Sequence, residues 1–148
     1  MNKSDTIAIE ILTSNKSLED DFETLGMQLD SLEIVNQPTK MRTWMAEGID
    51  LTKQIREVFI NKAKDFLKKY GENILKETCD WWNKNKDEAY DTSSMIGFIT
   101  PIITAALTTA GFGVVVGVVA LVAVILIRAG LNTVCPSGGK AEAILPWK

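Results

Sequence analysis

MIGFITPIITAALTTAGFGVVVGVVALVAVILI, residues Met95–Ile127, runs for thirty-three residues without one charged side chain. A core helix of a water-soluble fold usually interrupts its apolar surface with polar positions at helical spacing. An uncharged run of about eighteen residues or more instead has the length and composition of a membrane segment. The fold this predicts is all-α: amphipathic helices followed by a hydrophobic transmembrane helix or helical hairpin. The chain divides accordingly into a tail or short strand at 1–16, a helical amphipathic module at 17–94, a membrane-inserting segment at 95–131 and a polar C-terminal tail at 132–148.

As one helix the run is about 50 Å long, against a hydrocarbon layer of about 30 Å. Two arrangements fit. In the first, a hairpin turns at Ala110-Gly111-Phe112-Gly113, with arms 95–110 and 114–127 of about 24 and 21 Å. Lys84, Lys86, Arg128 and Lys140 then stay on one side of the bilayer, as the positive-inside bias prefers. In the second, a single span at 105–127 follows an interfacial helix at 95–104. It is supported by the small residues Ala106, Ala110, Gly113, Gly117 and Ala120, spaced 4, 3, 4 and 3. Such a face lets helices of neighbouring copies approach closely. A turn at 110–113 breaks that face, so the two arrangements exclude each other.

Thr100, Thr104 and Thr108 form a second stripe, one per turn. In lipid their hydroxyls bond back to carbonyls one turn earlier. In an assembly of several copies they are the candidate pore-lining residues, because polar side chains within a membrane face protein or water.

Upstream, Ile7, Ile9 and Ile11 alternate at period two, the pattern of a short strand. Ser17-Leu18-Glu19-Asp20 reads as a capping-box start, and Leu18, Phe22, Leu25, Leu29 and Leu32 follow at heptad spacing. This predicts one amphipathic helix packing on its neighbours, ended by Pro38. Within it Asp30-Ser31-Leu32 matches the tripeptide of the acyl-carrier-protein signature, but two residues too many separate it from Leu25-Gly26. From Thr39 to Tyr90 apolar residues recur every three or four positions, with a break expected at Gly71 between helices at 40–70 and 72–90. Asp91-Thr92-Ser93-Ser94 caps the helix that carries the apolar run. Trp81, Trp82, Tyr90 and Arg128 bracket that run and are candidate membrane-interface residues.

Charge is unevenly spread: residues 1–50 carry a net −6, residues 51–94 a net +1 and residues 95–148 a net +2. No basic patch points to nucleic acid. With no histidine, no acid pair and no phosphate-binding loop, an enzyme and a bound cofactor or metal are not expected. Cys79 and Cys135 have neither metal-ligand nor redox-motif spacing. The N-terminus lacks the apolar core of a secretory signal, so the sequence predicts a membrane location reached by late insertion, either as a tail anchor or by conversion from a soluble cytoplasmic form.

This layout, amphipathic helices before a hydrophobic hairpin, resembles that of α-helical pore-forming proteins. The resemblance implies a lipid bilayer as partner, homo-oligomers, permeabilisation, and a regulatory or activating protein that binds residues 17–90. A toxin, or the executioner of a bacterial self-killing defence system, fits it. Two alternatives use the same residues differently. One is a helical interaction module anchored in the membrane without pore activity. The other is a soluble helical bundle that keeps 95–127 buried as its central hairpin.

Overall fold

The structure, a computed structural model, describes residues 3–14, 16–33, 51–85, 91–113, 115–135 and 145–147. Among these it has six helices and no strand: α1 (Lys3–Thr13), α2 (Leu18–Glu33), α3 (Leu51–Asn85), α4 (Thr92–Thr109), α5 (Val116–Ala129) and the single turn α6 (Leu131–Val134). The all-α expectation holds. The expectations on Pro38, Lys86, Tyr90 and Lys140 concern residues outside those described.

Local chemistry starts the helices where the sequence marks it. Ser17 and Asp20 satisfy each other's backbone amides at 3.0 and 3.2 Å, which opens α2. The Ser17 amide also holds the Asp20 carboxyl below its usual range. Asp91 accepts a 2.7 Å hydrogen bond from the Ser94 amide and starts α4 at Thr92, three residues before the apolar run. Pro101 sits inside α4 without ending it.

Two sequence expectations are corrected. The strand expected at Ile7–Ile11 is helix α1. Ile7, Ala8, Ile11 and Leu12 also satisfy a helical period, and with Ile9 they pack on Ile96, Ala120 and Val124, so the apolar partner chose between two admissible periods. The break expected at Gly71 is also absent, since α3 runs unbroken from Leu51 to Asn85. Gly71 leaves room for an indole: a Cβ there would lie 3.0 Å from the Trp147 ring, and Trp147 is buried against α3.

The bundle is assembled around α5. Its residues Val118 to Leu126 are buried in an unbroken run, with α1, α2, α4 and α6 packed against it. The heptad face of α2 supplies Phe22, Leu25 and Leu29 to the core, and α3 adds Ala63, Phe66, Leu67 and Ile74. Opposite charges bring α2 and α3 together. Arg56 meets Glu19, Asp20 and Glu23 at 3.6, 3.2 and 2.8 Å, and Lys62 meets Asp30 at 3.1 Å. Glu19, Asp20, Glu23 and Asp30 of the acidic head therefore find their cations on α3.

Helices α2 and α3 approach tightly at Gly26. A Cβ on Gly26 would fall 1.9 Å from the Phe59 carbonyl oxygen, a backbone atom that cannot rotate away. Gly26→Ala is expected to push the helices apart and destabilise the fold by about 3 kcal/mol, read as a lower urea midpoint. An unchanged midpoint would mean that α2 and α3 do not cross there.

Candidate functional site

The apolar run folds as a helix–turn–helix. Helix α4 ends at Thr109, residues 110–113 reverse the chain with Gly111 at φ +88°, and α5 begins at Val116. This is the hairpin of the first sequence arrangement, with arms of about 27 and 21 Å, and the continuous helix at 105–127 is not formed. Phe112 fastens the turn to the middle of α3, its ring centroid 5.1 Å from that of Phe66 and 5.5 Å from that of Tyr70.

The small-residue face is consequently divided. Ala106 is buried in the main core, Ala110 caps α4, Gly113 lies in the turn with open space around it, and Ala120 faces α1. Gly117, in the first turn of α5, admits the Gln28 side chain of α2, whose amide oxygen would lie 2.9 Å from an added Cβ. The five residues thus occupy different surroundings within one chain, because the turn at 110–113 rotates the second half away from the first.

The threonine stripe is divided as well. Thr100 is buried and donates its hydroxyl to the Asp5 carboxylate of α1. Half-buried Thr104 and exposed Thr108 donate to the carbonyls of Thr100 and Thr104 at 2.9 and 2.8 Å, the back-bonded arrangement. The tryptophans also find partners within the fold. Trp81 stacks on Phe98 at 5.3 Å, and the Trp82 indole donates to the Asn132 Oδ1 at 3.0 Å.

The two arms differ in exposure. Helix α4 is long and apolar enough to cross a membrane, yet only 33 % of it is buried, and its Phe98 is 46 % exposed. Helix α5 has fourteen residues and no exposed position. Moving Val118, Leu121, Val122, Ile125 and Leu126 into water costs about 1.5–3 kcal/mol each. That total matches the whole stability of a typical domain, so α5 leaves the bundle only for another apolar medium.

Three polar ties hold the hairpin in place. Asp5 meets Thr100 between α1 and α4. Arg128, at the end of α5, reaches both α1 and α2. Its Nη2 donates to the Ile11 carbonyl at 2.7 Å, in the last turn of α1 where the helix dipole favours a cation. Its Nε lies 2.5 Å from the Asp21 Oδ2. That contact has no aligned N–H direction, so charge rather than a directed hydrogen bond holds the pair. The third tie is covalent. Cys79 of α3 and Cys135, just after α6, form a disulfide with Cα atoms 5.2 Å apart and a sequence separation of 56. Closing a loop of that length removes about 4 kcal/mol of unfolded-chain entropy in the chain-entropy account. The loop contains the entire hairpin.

Sequence reading missed Asp21 and the cysteine pairing. Asp21 lies three residues after Leu18, beside the leucine seam, where a carboxylate signals a buried partner. For the cysteines an even count was the sole signal. No protein-family model matches this sequence, and no curated protein or solved structure is similar enough to place it.

Burial pushes the Asp21 carboxyl up to about 6, with the Arg128 charge pulling it down and the Asp20 charge adding to the rise. Because the folded value exceeds the unfolded one of 3.8, the native state binds this proton more tightly. The stabilisation is complete below about pH 4 and is lost as pH rises through about 6. Relative to Asp21→Asn, the wild type should lose on the order of 2–3 kcal/mol of unfolding free energy between about pH 4 and 7. Urea titrations across that range measure it, and a constant difference between the two proteins would contradict the burial of this carboxylate.

Proposed function

We propose that this protein is a locked helical bundle that stores an apolar hairpin, and that it acts by delivering that hairpin to a lipid bilayer. The observation that carries the reading is the unbroken burial of Val118 to Leu126 beneath amphipathic helices. An apolar helix of this kind stays in water only while its neighbours cover every side. The closed bundle is one solution to that requirement, and a bilayer is the other.

The two arms would contribute differently. Helix α4 already turns Phe98, Pro101 and Ala105 outward and would make the first lipid contact. Helix α5 would follow after the bundle parts from it. The arms are shorter than a relaxed bilayer is thick, so insertion would thin the bilayer locally or enter it from one side. Assembly of several copies, a lumen lined by Thr100, Thr104 and Thr108, and a regulatory protein acting on residues 17–90 extend this proposal. A toxin or defence effector is the biological role it fits.

A second reading, the permanently closed bundle with the hairpin as its core, has the more direct support of the two. The disulfide, the Asp21–Arg128 pair and the unbroken burial of residues 118–126 are what such a bundle needs.

Flotation with phospholipid vesicles separates the two. Wild-type protein and the Phe112→Ala variant, whose turn no longer packs on Phe66 and Tyr70, are reduced so that the Cys79–Cys135 bond is open and mixed with dye-loaded vesicles. Delivery predicts that both float with lipid and that the variant does so more completely; dye release adds permeabilisation. If neither protein floats while both remain folded, the hairpin is a permanent core and the delivery reading fails.

A further inference from the structure

We propose that the Cys79–Cys135 bond is a redox latch, which when closed pins the end of the apolar hairpin to α3 and when reduced lets α5 leave the bundle. The inference rests on the reading of α4–α5 as the working part of the molecule.

The position of the bond is what suggests this. Helix α5 ends at Ala129, and Gly130, at φ +94°, redirects the chain into α6. Leu131, Val134 and Cys135 are then buried, while Asn132 accepts the Trp82 hydrogen bond. The segment 130–135 is therefore a short strap that fastens the end of α5 onto α3. Five residues separate Ala129 from Cys135, whereas twelve separate Cys79 from the start of α4 at Thr92. The covalent tie thus restrains α5 closely and α4 loosely, and α5 is the arm with an unbroken buried run at residues 118–126. The other ties on α5, from Asp21, Ile11 and Gln28, are non-covalent.

The two sulfurs differ in access. Cys135 is 2 % exposed and Cys79 is half-buried, so Cys79 is the more accessible of the two to an incoming thiolate. The reductant is a protein or small-molecule dithiol. Its first thiolate bonds to the Cys79 Sγ and breaks the Cys79–Cys135 bond, whose electron pair leaves on the Cys135 Sγ and takes up a proton. Its second thiolate attacks its own sulfur in the mixed disulfide and releases the Cys79 Sγ, which is also protonated. Two electrons and two protons pass to the protein, and the dithiol becomes a disulfide. Such bonds persist in oxidising compartments and are lost in reducing ones. The latch therefore couples release of the hairpin to a change of compartment.

The bond also limits the arrangements open to the oxidised chain at a membrane. With Cys79 joined to Cys135, both ends of the hairpin stay on one side of the bilayer, which permits a hairpin and forbids a single span.

Trypsin tests the latch without any membrane, because Arg128 closes α5. Oxidised protein, protein reduced with dithiothreitol and the Cys79→Ser/Cys135→Ser variant are digested, and cleavage after Arg128 and after Lys62 is followed by mass spectrometry. The expected result is cleavage after Arg128 about tenfold faster in both unlatched forms, with Lys62 protected equally in all three. Equal rates at Arg128 would overturn the proposal, and so would loss of protection at both sites, which would make the bond a staple for the whole fold. The same samples are then added to dye-loaded phospholipid vesicles. Faster release by the unlatched forms supports latch and delivery together. Release at Arg128 without vesicle binding supports the latch and overturns the delivery reading on which its use depends.

Discussion

A helix that is apolar on every side has no face to give to water, and α5 is such a helix. Everything around it follows from that constraint. An amphipathic helix packs one stripe inward and leaves the other wet, so several are needed to enclose α5. Helices α1, α2, α4 and α6 do so, and α3 backs them. The long uninterrupted α3 acts as a spine. It carries the aromatic seat for the hairpin turn, the cations that hold α2, and the cysteine that holds the strap.

The polar groups sit where the apolar enclosure ends. Arg128 marks the end of the uncharged run, and the fold neutralises it with the Asp21 carboxylate and the last turn of α1. Burying such a pair is costly, and its ionised form is tolerated only because each charge has the other. The pair therefore contributes little net stability but fixes which end of α5 faces α2. Gln28 against Gly117 at the opposite end makes the same choice, so the two helices run antiparallel. Thr100 with Asp5 sets the position of α1 in a similar way.

Much of the architecture was legible in the residues. The caps at Ser17 and Asp91, the leucine seam of α2 and the turn at Ala110–Gly113 are local signals, and local chemistry decides them. What was illegible depends on partners distant in the chain. Ile7, Ile9 and Ile11 suit a strand or a helix, and only packing against Ile96, Ala120 and Val124 selects the helix. Gly71 looks like a helix end until Trp147 fills the space beside it. The small-residue stripe is a true periodicity of one long helix, but the turn at 110–113 ends that helix before the stripe acts as a face; the three threonines all lie on α4, where burial falls from Thr100 to Thr108. The cysteine pairing spans 56 positions and has no local signature.

Native-state hydrogen exchange of the oxidised protein tests the central claim, that α5 is the enclosed core on which the bundle is built. The account predicts that the amides of 118–126 exchange slowest, at the free energy of global unfolding, while the amides of the exposed α4 residues 97, 98, 105 and 108 exchange sooner by local opening. Exchange of the α5 amides as fast as those of outer α4 would contradict it, because a helix that opens independently cannot be what the other helices are organised to cover.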